Sequence, residues 1–344
     1  MRSLLIMATI ATLSCTAQDA YIGTYTGNTG SKGIYRIRVD SATGIATKPE
    51  LVAEAANPSF LALDPTKRRL YAVSESANKV FAYAIADATL TLLNEAKTGN
   101  GPCHVAVSAD SKLAVADYGG GSTTLWQLEA DGRIGEQTAF HQHTHASKAT
   151  PRQDKPRAHG ATFSPDGKLL LVPDLGADRL YAYGNHDAPW IGLPPGRGPR
   201  HAAFHQEYLY VVNELSNTVT VFHCGGNTFT FIEEVSTLPT GFTGESTTAE
   251  LIVTGTALYV TNRGHDSIAR FTRDPKTGRL TLLECVPCGG KWPRHFTLMP
   301  NAPLMLVANQ NSNTIAVFRI APDGALTPLP AATIEIPAPV CVVF

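Results

Sequence analysis

Charge of either sign is scarce in this chain and nearly cancels. Lys and Arg total 28 against 29 Asp and Glu, charged residues make up 17% of the whole, and the formal net charge is -1. Such a balance creates no long-range attraction to phosphate backbones or anionic lipid, which argues against nucleic acid as a partner. Cysteine is equally sparse. Of 6 in 344 residues, Cys15 falls in a leader-like N-terminus, and Cys103, Cys224, Cys285, Cys288 and Cys341 are too scattered for a disulfide framework. Cys285 and Cys288 form a single CxxC with no second pair to complete a zinc site, and both read as plain thiols. Beyond residue 17 no segment sustains a 3.6-residue apolar period, so helices should be nearly absent.

The apolar run Leu4 to Leu13 follows Arg2 and precedes small residues, the build of a secretory leader, and is too short to span a bilayer comfortably. A cut after Ala17 leaves Cys15 and Ala17 at the positions a signal peptidase reads. Alternatively Leu13, Ser14 and Cys15 resemble part of a lipoprotein box, with Thr12 where an aliphatic residue is usual, and Cys15 would then carry a lipid anchor. Either way residues 1–17 are set apart from a single domain over 18–344. That domain is expected to be periplasmic or exported, and an outer-membrane lipoprotein in the second case.

What the chain has in abundance is repetition. GPRHAAF (from Gly198), LYVVNEL (from Leu209) and TVTVF (from Thr218) form a punctuated unit of three short strands, too small to bury both faces alone. Its first strand recurs as NPSFLAL, GPCHVAV, KPRAHGATF, TTAELIV, WPRHFTL and PAPVCVVF. The second and third recur with it, and weaker segments such as ATKPELVAEA supply a fourth, outermost strand. The turn tip after the second strand, Tyr25, Glu75, Tyr118, Leu175, Glu214, Arg263 and Gln310, returns at steps of 39 to 57 residues. Four strands at that period predict an all-β, seven-bladed β-propeller. The last first strand lacks a successor, and AYIGTYT (from Ala20) has the missing pattern, so the N- and C-terminal strands should close one blade and leave no open edge. His141 to Pro156 interrupts the rhythm and reads as a loop over one mouth of the ring, with HQHTH (from His141) solvated. Gly184 to Gly198 reads as a short, proline-rich outer edge.

First strands line a propeller's channel, so the side chains that converge can be read off. The equivalent channel positions carry Phe60, His104, His159, His201, Glu250, His295 and Val340, and the preceding positions include Cys103, Arg200 and Arg294. Turn tips should lie further out. Four histidines, a glutamate and two arginines, joined by Glu214 and Arg263 from the tips, could enclose a small anion. Two other readings stand beside this one: polar residues that merely hold channel water, and a metal held by His159, His201, Glu250 and His295. No tight ligand spacing supports the metal, and no metal or cofactor is expected.

The segments YIGTYT (from Tyr21), NPSFLAL (from Asn57), RQDKPRAH (from Arg152), FSPDGKLLLVPDLGADRLYAY (from Phe163), GPRHAAFH, VVNELSNTV, AELIV, TNRGHDSIA, PRHFTL and VANQNSNTIAVF carry a resemblance. With them the chain, from about Ala20 to Phe344, resembles the seven-bladed propeller lactonase family that includes bacterial 6-phosphogluconolactonase and fungal carboxy-cis,cis-muconate cyclase. The resemblance implies catalytic roles for His159, Arg200, Glu214 and Arg263. His104, His201, Glu250, Arg294 and His295 are then expected to bind substrate. Where the family often has PHAH this chain has PRAH, and Arg157 should alter the charge beside His159. The implied activity is hydrolysis of a sugar lactone by a monomer, with Glu214 or His159 as base and Arg200 and Arg263 as oxyanion donors or as a grip on a carboxylate or phosphate. Ring-closing cyclase chemistry and a non-catalytic binding propeller are the alternatives. An exported protein would meet an unphosphorylated or carboxylated lactone rather than a cytoplasmic sugar phosphate.

Overall fold

A computed structural model describes residues 17–87, 89–184, 186–226 and 228–344. Of the expected leader, residues 1–16 with Cys15 lie outside these, and Ala17 is the first residue of a strand. Seven antiparallel sheets follow one another along the chain, six with four strands and one with a fifth short strand appended. We number them as blades. Blade 1 is Pro339–Val343, Ala17–Thr24, Gly33–Asp40 and Glu50–Glu54, so the C-terminal strand pairs with the N-terminal one, Val342 opposite Ile22. The inner strands of blades 2 to 7 are Leu61–Leu63, Pro102–Val107, Thr162–Phe163, Pro199–His205, Thr247–Val253 and Pro293–Leu298. The ring is therefore closed as the repeat pattern requires. Helical structure among the described residues is confined to three single turns of 3-10 helix, and no helix there is long and apolar enough to cross a membrane.

The burial gradient follows strand position. Second strands such as Tyr208–Asn213 and Leu304–Asn309 are buried along their whole length because adjacent blades cover both faces. Outer strands such as Thr228–Ser236 are mostly exposed or half-buried. Apolar clusters fill the seams between blades: Tyr210, Val212 and Val221 of blade 5 meet Leu251, Val260 and Phe271 of blade 6. A tyrosine of the second strand also reaches across the seam. Tyr71, Tyr210 and Tyr259 donate to the carbonyls of Gly132, Gly278 and Gly324 at 2.9, 3.0 and 2.7 Å, turn glycines with positive φ.

Two backbone features bring side chains to the centre. In blades 3, 5 and 7 the inner strand carries a β-bulge: Pro199 pairs Asn213 and His201 pairs Val212, leaving Arg200 as the extra residue. Cys103 and Arg294 are its counterparts. A plain strand would send neighbours to opposite faces, and the bulge lets Arg200 and His201 both serve the channel. The second feature ties turn tips inward. The N–H of Glu214 donates to Gly198 O at 2.8 Å, and those of Glu75, Tyr118, Leu175 and Gln310 make the same bond to Asn57, Gly101, Arg157 and Trp292 at 2.8 to 3.2 Å. The tips are thus clamped to the start of the inner strand, and the expectation that they lie further out is wrong for this ring.

Candidate active site

Glu214 is the hub. Although 1% exposed, its carboxylate meets four cationic or basic groups. Oε1 accepts from Arg152 Nη1 at 2.5 Å, while Oε2 lies 2.9 Å from Arg263 Nη2, 3.2 Å from Arg200 Nε and 3.5 Å from His159 Nε2. Glu214 therefore gathers the other three residues assigned catalytic roles, His159, Arg200 and Arg263, around its carboxylate. Burial alone would raise the acid's pKa, but Arg263, Arg152 and Arg200 outweigh it and hold it at about 2. A carboxylate that acidic is a poor proton acceptor near neutral pH, and of the two expected bases it is the less suited.

His159 differs. Burial first, and then the charges of Arg200, His201 and Arg294, push its pKa well below 6.5, so the imidazole is neutral at physiological pH. The residue sits in an irregular stretch before the short strand Thr162–Phe163, held by its N–H on Pro173 O at 2.8 Å. Cys103 Sγ stands 3.8 Å from its Nδ1. Burial drives the Cys103 thiol far up, which leaves it inert as a nucleophile. Arg200 donates to Ala249 O at 2.6 Å, and burial with the nearby Arg263 and Arg294 brings its pKa down to about 10, still charged at neutrality.

A second acidic group stands across the mouth. Tyr25 donates to Glu75 at 3.0 Å, and the Arg294 guanidinium lies over the Tyr25 ring at 5.2 Å. Below, in the channel, His201 Nδ1 lies 3.0 Å from both oxygens of Glu250, and His295 Nε2 3.6 Å from one. Phe60 packs on His104 with ring centroids 4.0 Å apart and edges onto His201 and His295. The residues expected to bind substrate therefore divide: Arg294 lies against Tyr25, whereas His104, His201, Glu250 and His295 cluster around Phe60 and meet the Glu214 group where Arg200 Nη1 comes 3.2 Å from His201 Nδ1. Among the described residues no group of three or more His, Cys, Asp or Glu is placed to hold a metal. The five described cysteines are all free.

The loop after His141 departs from expectation. His141 stacks on Tyr183 with centroids 3.9 Å apart. His143 is buried, 2.6 Å from Asp174 Oδ2 through Nδ1 and 2.8 Å from the Tyr183 hydroxyl through Nε2. His141 and His143 are thus packed, whereas Gln142, Thr144 and His145 are exposed as a solvated loop would have them. Further along the loop the turn Pro151–Gln153, tied down by Gln153 Nε2 on Leu175 O at 2.9 Å, carries Arg152 onto Glu214 and onto the Tyr118 hydroxyl at 2.9 Å. Arg157 does not add charge beside His159, because it pairs with Asp154 at 2.7 Å and donates to Arg152 O at 2.8 Å. Repeat logic missed Arg152, since a loop has no equivalent position in other blades; its place in RQDKPRAH was the one available signal.

A closed ring of seven four-stranded blades with an arginine-rich, histidine-containing mouth defines a seven-bladed propeller with an enzyme-like site. The chain matches the family described as Lactonase, 7-bladed beta-propeller over residues 19–344, and it belongs to that family. It is 35% identical to a 6-phosphogluconolactonase of Bacillus subtilis (strain 168), an alignment covering 94% of this chain and 97% of that protein. Among solved structures, a periplasmic gluconolactonase of Pseudomonas aeruginosa superposes with a TM-score of 0.90 at 31% identity, over 96% of this chain and 99% of that one. A putative 6-phosphogluconolactonase of Bacteroides fragilis NCTC 9343 does so at 0.87 and 30%, over 95% and 98%.

Proposed function

We propose that this protein hydrolyses an aldonolactone to its open-chain acid at the site around Glu214, with neutral His159 as general base. The observation that carries the assignment is the convergence of His159, Arg200 and Arg263 on one buried carboxylate. His159 takes a proton from water as its oxygen bonds to the lactone carbonyl carbon. Arg200 and Arg263 meet the oxyanion that develops. When the ring C–O bond breaks, the imidazolium returns its proton to the leaving alkoxide, so the product is a carboxylic acid and a hydroxyl group. Glu214 holds both arginines in place and stabilises the transient imidazolium 3.5 Å away.

Four arginines, Arg152, Arg200, Arg263 and Arg294, against Glu75 and Glu214 leave the mouth cationic, which favours a substrate carrying a carboxylate or phosphate. The leader-like residues 1–17, taken with the similarity to a periplasmic gluconolactonase of Pseudomonas aeruginosa, favour export. An extracytoplasmic enzyme would meet gluconolactone or a carboxylated lactone in preference to the 6-phospho ester. A pH-stat assay of the purified protein on gluconolactone, its 6-phosphate and a muconolactone tests this reading. Acid release above the spontaneous rate on an aldonolactone supports it. Turnover of the muconolactone alone favours the cyclase reading, and none at all a binding propeller.

A further inference from the structure

Blades 1, 2, 3, 5 and 7 open their inner edge in the same way, with a positive-φ residue directly before a proline. The residues are Ala338, Asn57, Gly101, Gly198 and Trp292, with φ of 43, 47, 61, 60 and 64 degrees. Glycine occupies this conformation freely, asparagine tolerates it, and a bulky side chain there is a genuine outlier. Blade 7 holds tryptophan in it, pinned by its N–H on Asp266 Oδ1 at 2.8 Å and by its carbonyl under the Gln310 N–H at 3.1 Å. The backbone gains nothing from the indole, so its reason must lie where the side chain points.

That place is a cleft of about 450 Å³ beside the catalytic mouth, walled by Trp292, Arg263, Asn217, Ser246 and Glu245. Its size is in the range of small-molecule pockets, about 300–1,000 Å³. The Trp292 ring lies 5.6 Å from the Arg263 guanidinium, so the cleft is continuous with the group assigned to the oxyanion. Three buried polar atoms on its walls have no hydrogen-bond partner among the described residues: Arg263 Nε, Ser246 Oγ and Asn217 Oδ1. Arg263 is itself 5% exposed. The charge of Arg263 is met by Glu214, and Glu245 disfavours a second anion. An aromatic plate, an unpartnered hydroxyl and amide oxygen, and a guanidinium charge already faced by Glu214 together suit a neutral polyhydroxylated ring.

We infer that this cleft is a glycosyl subsite: the lactone ring sits over Glu214 and Arg263 while a sugar unit attached to it stacks on Trp292 and hydrogen-bonds to Asn217 and Ser246. The inference rests on the lactonase reading and extends it to glycosylated aldonolactones. It is tested by comparing a simple hexonolactone with an aldobionolactone, in which a hexosyl unit is linked to the same lactone. The wild type is expected to show a KM about tenfold lower for the aldobionolactone, the scale of one good aromatic contact. Trp292→Gly removes the ring from a position whose backbone glycine adopts freely, its folding is checked by its melting curve, and its kcat/KM should fall about tenfold further on the aldobionolactone than on the simple lactone. Trp292→Phe should keep most of the preference. Equal KM for both lactones in the wild type, or equal kcat losses on both in Trp292→Gly, would overturn the subsite; the second result would mean that the indole only steadies Arg263. Calorimetry with the unreactive disaccharide alditol is independent of turnover. Binding to wild type that Trp292→Gly abolishes supports the subsite even if neither lactone is hydrolysed, and no binding to wild type sinks it.

Discussion

Glu214 shows how far neighbours move a single group. Its folded pKa of about 2 lies below the ordinary 4.5, so ionised Glu214 contributes stability above pH 4.5 that is lost as pH falls towards 2. Acid unfolding of the wild type should therefore steepen in that window, and Glu214→Gln should flatten it; an unchanged curve would show that the arginines do not depress this group. His159 shifts in the same direction but from burial first. A buried imidazole with a depressed pKa stays in its neutral, proton-accepting form well below pH 6.5. The acid limb of kcat/KM should accordingly fall below that value, and His159→Gln should cost about a hundredfold to ten-thousandfold in kcat. Arg200 illustrates what the linear sequence made visible at this scale: two consecutive polar residues, Arg200 and His201, at a channel position marked it as unusual. The bulge that lets both face inward was not legible, because register irregularity has no residue signature when neither partner is glycine.

At the scale of elements, the informative part is the one the repeat does not describe. Second and third strands were legible because their apolar residues recur in every blade, and the turn tips because polar residues interrupt them at a regular step. The loop from His143 to Pro156 has no such frame, so its buried contacts with Asp174 and Tyr183, made by a neighbouring blade, could not be foreseen. The same loop carries Arg152, half exposed, to Glu214. Arg152→Ala should raise KM for an anionic lactone about tenfold, the worth of a charged hydrogen bond. His143→Ala, which unpins the loop some distance away, should move KM in the same direction. If His143 acts through Arg152, the double variant should be no worse than Arg152→Ala alone; additive losses would separate the two.

The whole molecule depends on closure. Val342 and Cys341 pair with Ile22 and Gly23, and Val342 also belongs to the cluster that includes Leu306 and Val317 of blade 7. Deleting residues 339–344 should expose an edge strand and an apolar seam, giving a lower Tm and aggregation that light scattering detects. A truncated chain with the wild-type melting curve would mean that the other six blades suffice. The ring also explains how residues from 152 to 263 come together: blades far apart in sequence deliver side chains to a common centre. The exposed aromatics Phe140, Trp190 and Phe231 lie instead on outer strands, around the circumference and away from the mouth.

The most direct test of that common centre is a set of kcat/KM values for aldonolactone hydrolysis, corrected for the spontaneous reaction, from His159→Ala, Arg200→Ala, Glu214→Ala and Arg263→Ala. Residues acting as one unit should each lose about a hundredfold or more, and the His159/Glu214 double variant should be scarcely worse than its poorer parent. Wild-type rates in any two of the four would contradict the assignment of catalysis to this mouth of the ring.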